Sequence, residues 1–76
     1  MSGEVYLDAP RAGRGAAYEW AYSLDLGETW IDLPFTLVAH TTVTGLTPGS
    51  RVLFRYRAKT KDGLSPWSDP VAFIVQ

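Results

Sequence analysis

The chain has 76 residues, enough for one domain and too few for two. Its net charge of −1 argues against a dedicated nucleic-acid-binding protein, because such proteins usually carry an excess of basic residues. Cysteine is absent, which excludes disulfides and thiolate metal sites. No apolar run approaches the roughly 20 residues of a transmembrane helix. We therefore expect a single domain over residues 1–76 whose partner is neither nucleic acid nor a membrane.

Apolar and polar residues alternate along much of the chain, and this period of two is typical of β-strands. We predict strands over residues 4–9, 16–23, 29–33, 41–44, 51–59 and 71–75, separated by turn-forming Gly, Pro and Asp residues. The two longest strands each put aromatic and aliphatic side chains on one face: Tyr18, Trp20 and Tyr22 in the first, and Val52, Phe54, Tyr56 and Ala58 in the second. Short strands without a helical stretch predict a β-sandwich or a small barrel.

Residues 42–49 read Thr-Val-Thr-Gly-Leu-Thr-Pro-Gly and resemble the turn between strands E and F of fibronectin type III domains. In that family the leucine fills the end of the core and Pro-Gly forms the turn, so the resemblance implies these roles for Leu46, Pro48 and Gly49. Residues 18–22 are similar to strand C, and residues 62–71 to the F–G loop and the start of strand G. The resemblance implies an all-β, immunoglobulin-like (fibronectin type III) β-sandwich of about six strands.

Three features depart from the fibronectin type III pattern. Leu7 stands where the family usually has a tryptophan in strand B, and we expect Trp20 to supply that bulk from across the core. Val52 replaces the corner tyrosine, whose hydroxyl would bond back to the E–F turn. The residues that would form strand A do not precede Glu4. We therefore expect strand A to be missing and one sheet to consist of strands B and E alone.

Residues 23–30 match S-x-D-x-G-x-T-W, the pattern of the Asp-box hairpins found in sialidases and other β-propellers. The matching residues are Ser23, Asp25, Gly27, Thr29 and Trp30. The aspartate can accept hydrogen bonds across a tight turn, and glycine can take a positive φ. One copy cannot build a propeller of several blades, so we predict an Asp-box-like lock of the hairpin between strands C and C′. The alternative is a carbohydrate-binding module associated with a glycosidase.

Residues 64–68, Leu-Ser-Pro-Trp-Ser, are similar to the W-S-x-W-S stretch of cytokine receptors, in which arginines of strand F stack on tryptophans. Arg55 and Arg57 lie on the outward face of the predicted strand F. We predict that Trp67 stacks on one or both of them through cation–π contacts.

The titratable residues do not form a recognisable catalytic or metal-binding pattern. His40 is the only histidine, and no nucleophile-elbow sequence accompanies it. Asp25, Glu28 and Asp32 could approach a calcium ion, but their spacing is not that of an EF-hand loop. We predict a domain that is not an enzyme and that binds no cofactor or metal.

We interpret the chain as a protein-interaction or spacer module of a larger, bacterial or phage-type protein. Without strand A, strand B has an unpaired edge along Val5, Tyr6 and Leu7. Pairing of two such edges about a two-fold axis predicts a homodimer, whereas donation of a strand from copy to copy predicts open chains. The predicted partner is thus the chain itself, with another protein as the alternative. The family resemblance implies an extracellular or cell-surface location.

Overall fold

The structure is a computed structural model that describes residues 3–10, 13 and 15–76. These residues form seven strands: β1 (Val5–Asp8), β2 (Ala17–Ser23), β3 (Ile31–Asp32), β4 (His40–Val43), β5 (Arg51–Thr60), β6 (Gly63–Leu64) and β7 (Val71–Ile74). A helix that could cross a membrane is not found in this part of the chain.

The strands form two antiparallel sheets. Among the described residues the smaller sheet contains β1 and β4 alone, with Val5 opposite Val43 and Asp8 opposite His40. In the larger sheet β2 lies between β3 and β5, and both β6 and β7 pair with the far side of β5. This order is that of strands B and E facing strands C′, C, F and G. The predicted all-β fold, with a smaller sheet of two strands, is confirmed.

The core lies between the sheets and is built from alternate residues, as the period of two predicted. β1 contributes Val5 and Leu7, which are buried, and Ala9 follows on the same side. The other buried apolar residues include Tyr18 and Trp20 of β2, Val43 of β4, and Val52, Phe54 and Ala58 of β5. Tyr22 and Tyr56 pack against this cluster while remaining partly exposed. Trp20, which stands across the core from Leu7, is 3% exposed.

The strand boundaries differ from the predicted ones mainly where side chains replace backbone pairing. β3 is shorter than predicted because Thr29 is held in the preceding turn by hydrogen bonds to Asp25. The predicted last strand, residues 71–75, is found as β7, and a further two-residue strand, β6, forms in the segment assigned to the F–G loop. Between β6 and β7 lie Pro66 and Pro70, which have no N–H to donate to a ladder. The described part of the chain therefore forms seven strands, where the sequence predicted six.

The turn between β4 and β5 has Val52 in place of a corner tyrosine and is closed by a serine. Leu46 is 8% exposed and belongs to the core, as the resemblance implied, and Val52 is completely buried. The Ser50 hydroxyl donates to the Thr47 carbonyl oxygen at 2.6 Å, and the Ser50 N–H donates to the same oxygen at 3.2 Å. Ser50 thus closes the turn through both its hydroxyl and its N–H.

Candidate functional site

The hairpin between β2 and β3 brings together the residues of the S-x-D-x-G-x-T-W pattern. The Asp25 carboxylate accepts three hydrogen bonds: from the Ser23 hydroxyl at 2.7 Å, the Thr29 N–H at 2.9 Å and the Thr29 hydroxyl at 2.6 Å. These bonds, first those from Thr29 and then that from Ser23, lower the pKa of Asp25 from 3.8 to about 2. The carboxylate is therefore ionised at neutral pH and holds both arms of the turn.

Ser23 supplies the second half of this hairpin network. Its side chain is completely buried, and its oxygen accepts the N–H of Gly27 at 2.8 Å and that of Asp25 at 3.3 Å. Gly27 has φ +96°, a conformation that side chains rarely adopt. A Cβ at this position would lie 3.7 Å from Cζ2 of Trp30, so the indole lies against the turn. Leu26 also has a positive φ of 62° and is exposed.

Arginines and tryptophans stack in a row on the outer face of the larger sheet. The Arg55 guanidinium carbon lies 4.1 Å from the Trp30 ring centroid and 4.3 Å from that of Trp67. The Arg57 guanidinium carbon also lies 4.3 Å from the Trp67 ring centroid, and Arg57 donates to Oε1 of Glu19 through Nε and Nη2 at 3.0 and 2.9 Å. We call this row, formed by Trp30, Arg55, Trp67, Arg57 and Glu19, the Arg–Trp ladder.

The Arg–Trp ladder covers a sheet face that would otherwise meet water. Ala21, the cross-strand neighbour of Arg55, is completely buried although it points away from the core. The Arg55 Nε is also buried, and it has no hydrogen-bond partner. Trp30 thus joins the hairpin to the ladder, a connection that the sequence analysis did not predict.

Two serines hold Trp67 in place. The segment between β6 and β7 runs beside β5, where the Ser65 hydroxyl oxygen accepts the Ala58 N–H at 2.9 Å and that of Ser68 accepts the Tyr56 N–H at 3.0 Å. In return the Ser65 N–H donates to the Ala58 carbonyl and the Ser68 N–H to the Tyr56 carbonyl. Side chains therefore continue the hydrogen bonding of β5 where the prolines interrupt the strand. The serine on each side of Pro66-Trp67 was a readable signal of this role.

The two edges of β1 differ in their hydrogen bonding. The Ala9 N–H donates to the Ala39 carbonyl in the register that pairs β1 with β4. Because hydrogen-bonded pairs alternate in an antiparallel ladder, Leu7 and Val5 direct their backbone groups to β4. Tyr6 and Asp8 direct theirs to the opposite side, where no strand pairs among the described residues. Of the predicted edge residues Val5, Tyr6 and Leu7, only Tyr6 offers its backbone to a partner.

The inner face of β7 is left uncovered next to this edge. Val71 and Phe73 pair with Phe54 and Val52, so they share the core-facing side of the sheet. Yet Val71 is 53% exposed and Phe73 is 38% exposed. A groove of about 210 Å³ runs here. Its walls come from β1, β2, β5, β7 and the segment before β7. The lining residues are Tyr6, Leu7, Asp8, Trp20, Phe54, Arg55, Tyr56, Ser68, Asp69, Val71 and Phe73. We call this groove the β1–β7 slot.

The remaining polar candidates form no site in the described part of the chain. Within it, no three His, Cys, Asp or Glu side chains lie close enough together to hold a metal ion. The ring of His40, the lone histidine, stacks on Tyr6 with centroids 5.7 Å apart. Trp20, which the sequence placed in the core, also donates from Nε1 to the Thr36 hydroxyl at 2.9 Å. Sequence reasoning missed this bond because Thr36 lies in an irregular segment that adjoins β2 only at Tyr18 and Trp20.

Comparison with known proteins supports the same fold. A scan against protein-family models gave no match. A titin homolog from Caenorhabditis elegans is 32% identical to this chain over 63 residues. The match covers 83% of this chain and, to the nearest per cent, 0% of the titin homolog. The twitchin kinase region from C. elegans (Fn31-NL-kin-CRD-Ig26), a solved structure, is similar with a TM-score of 0.79 and 25% identity. The match covers 99% of this chain and 14% of that one.

One part of the sequence interpretation, the source of the protein, finds no support in these similarities. The similar proteins come from a nematode, so the bacterial or phage-type setting has no support. The chain spans only a small part of each of the two proteins, and their whole-protein activities do not transfer to it. The strand order, the two sheets and the structural match agree: this chain is an immunoglobulin- and fibronectin type III-like β-sandwich domain.

Proposed function

We propose that the chain is a non-catalytic protein-interaction module that takes up one additional β-strand at the open side of β1. The observation that carries this proposal is the β1–β7 slot, where an unpaired strand edge and uncovered core-facing side chains lie side by side. Such an edge is a template for pairing with another strand, and the uncovered Val71 and Phe73 give that strand an apolar surface to bury. Similarity to domains of titin and twitchin supports a module that works within a longer protein.

Self-association is one source of the additional strand. Pairing of two β1 strands about a two-fold axis would give the homodimer that the sequence predicted, with Tyr6 at the junction. Size-exclusion chromatography with light scattering tests this source. A dimer that becomes a monomer when Tyr6→Pro removes a hydrogen-bond donor from the open edge would support it. A folded monomer at tens of micromolar would remove the chain itself from the candidate partners, leaving a strand from another protein.

A tethered strand tests the proposed function without assuming where the strand comes from. An uncharged segment, Thr-Val-Thr-Val-Thr, is joined to the N-terminus of the chain through a flexible Gly/Ser linker. The linker is long enough for the segment to pair with β1 in either direction. The tether gives the segment a high effective concentration at the slot. We expect the melting temperature to rise by several degrees and the amides of Tyr6 and Asp8 to become protected from hydrogen exchange.

The matched control for the tethered strand carries proline in place of its two valines, which leaves the linker and length unchanged. This control should melt like the chain without a tether. If both tethered proteins melt alike and the Tyr6 and Asp8 amides stay unprotected, the β1–β7 slot does not accept a strand and the proposed function is wrong.

A further inference from the structure

The open edge of β1 carries negative charge on its outer side. Glu4 and Asp8 are exposed, and both lie on the same side as Tyr6, away from the core. Asp69 adds a third carboxylate among the residues that line the β1–β7 slot. The arginine in that lining, Arg55, has its guanidinium between Trp30 and Trp67 in the Arg–Trp ladder. The charge that a strand paired to β1 would meet is therefore acidic.

A second β1 strand complements this edge poorly. In the register that pairs the whole of β1 with its copy, Tyr6 lies opposite Tyr6 and Glu4 lies opposite Asp8 at both ends. Like charges directly opposite each other destabilise a sheet. The side chains of β7 also project into the slot, so the β7 strands of two copies approach each other as the β1 backbones come to the spacing of about 4.8 Å that a ladder needs. These two features favour a partner segment that does not bring a second sandwich with it.

We infer that the β1–β7 slot binds an extended protein segment in which basic residues alternate with branched apolar residues. This inference rests on the proposed function, because it names the chemistry of the strand that the slot takes up. Residues facing outward would lie beside Glu4, Tyr6 and Asp8, where Lys or Arg at two positions four residues apart pairs with the two carboxylates. Residues facing inward would be branched and apolar, and they would cover Val71, Phe73 and the edge of Phe54.

The edge is held in place before a partner arrives. Gly3, the residue before Glu4, donates from its N–H to the Gln76 carbonyl at 2.7 Å and accepts the Leu46 N–H at 3.1 Å. On its other side β1 is paired with β4 along its length. Binding therefore requires ordering of the incoming segment alone, which reduces the entropic cost of association.

The tethered format separates this inference from the proposed function. Three proteins are compared that carry Thr-Val-Thr-Val-Thr, Lys-Val-Thr-Val-Lys or Glu-Val-Thr-Val-Glu on the same linker. We expect the basic strand to give a melting temperature several degrees above that of the acidic strand at low salt, and the difference to shrink as salt screens the charges. The double variant Glu4→Lys/Asp8→Lys should reverse the order of the basic and acidic strands.

The melting temperatures of the three tethered proteins decide between the proposed function and this inference. Failure of all three strands contradicts the proposed function and this inference together. Stabilisation by the uncharged strand, with the basic and acidic strands equal to each other, contradicts the inference and leaves the proposed function standing. An acidic strand that outperforms the basic one, or an order that Glu4→Lys/Asp8→Lys leaves unchanged, also contradicts the inference. Protection of the Tyr6 amide is measured throughout, so that a charge effect without strand pairing counts against the inference as well.

Discussion

The outer face of the larger sheet and the inner face of β7 show opposite patterns of burial. The outer face belongs to solvent in an ordinary sandwich, yet here Ala21 is completely buried beside the Arg–Trp ladder. The inner face belongs to the core, yet Val71 is 53% exposed. The chain therefore closes one surface with its own side chains and leaves the other open. This difference supports the proposed uptake of a strand at the β1–β7 slot, because the apolar side chains that such a strand would cover are already in position.

Phenylalanine truncations give the largest contrast between closed and open regions. Phe54 is 3% exposed and meets Phe73, which is 38% exposed, edge to face at 5.6 Å. Phe54→Ala should cost about 3–5 kcal/mol of unfolding free energy, because it leaves a cavity in the core. Phe73→Ala should cost about 1–2 kcal/mol, because much of its ring already meets water. Urea denaturation measures both, and equal losses would show that the β1–β7 slot is already closed.

The same two phenylalanine truncations can be repeated in the protein that carries the uncharged tethered strand. Filling the slot should increase the cost of Phe73→Ala towards that of Phe54→Ala, since the ring is then covered. An unchanged cost in the tethered protein would mean that the added strand does not lie over β7.

Removal of the Ser23 hydroxyl tests the closed hairpin. Ser23→Ala leaves the Gly27 N–H without its acceptor and takes one donor from the Asp25 carboxylate. We expect a loss of about 1–3 kcal/mol, the cost of leaving a buried polar group unpaired. Ser50→Ala serves as the control, because its hydroxyl bond is exposed. A Ser23→Ala loss no larger than that of the control would argue against a hairpin lock.

The Arg–Trp ladder should contribute less than the core or the hairpin. Trp67→Ala removes the ring that Arg55 and Arg57 both approach. At about 0.5–1 kcal/mol for each exposed cation–π contact, the expected loss is about 1–2 kcal/mol, measured by chemical denaturation. Trp67→Phe keeps a ring and should recover part of that loss. Equal effects of the two substitutions would contradict a stacking role, because Phe keeps an aromatic face for the guanidinium groups and Ala does not.

The smallest expected effect is a pH dependence centred on Asp25. The hydrogen bonds from Thr29 and Ser23 lower the pKa of this carboxyl from 3.8 to about 2. Its contribution is therefore present at neutral pH, declines as the pH falls below 3.8, and is lost as the pH passes below about 2. Melting temperatures of the chain and of Asp25→Asn should differ at neutral pH and converge in acid. A constant difference between pH 2 and pH 7 would assign the effect to something other than this carboxylate.

Alternation and turn chemistry predicted the sheets because they act locally. The aromatic face of β2 and the apolar face of β5 could be read from a period of two, and Leu46 from its turn. The short strand β6 and the segment after it were not predicted to run beside β5, because the hydroxyls of Ser65 and Ser68 there replace backbone groups. Trp30 was assigned to the hairpin alone, since its approach to Arg55 depends on how β3 lies beside β2 and β5.

The sequence predicted an open edge on β1, but it did not predict which residues of β1 direct their backbone groups to that edge. The sequence indicated that β1 lacks a neighbour, while the assignment of Tyr6 and Asp8 to the open side required the register with β4. The exposure of Val71 and Phe73 likewise depends on where β7 lies relative to β1, which no local pattern encodes. These long-range placements turn an unpaired strand into a slot with an apolar wall.

Hydrogen exchange at the amides of β1 tests the open edge most directly. For the isolated chain as a dilute monomer, we predict rapid exchange at Tyr6 and Asp8 and slow exchange at Leu7 and Ala9, whose N–H groups face β4. Rapid exchange at Tyr6 that slows when the tethered strand is added would show that the open edge of β1 pairs with that strand. Protection of Tyr6 and Asp8 equal to that of Leu7 and Ala9 in the untethered monomer would contradict it, because the edge would then already be paired.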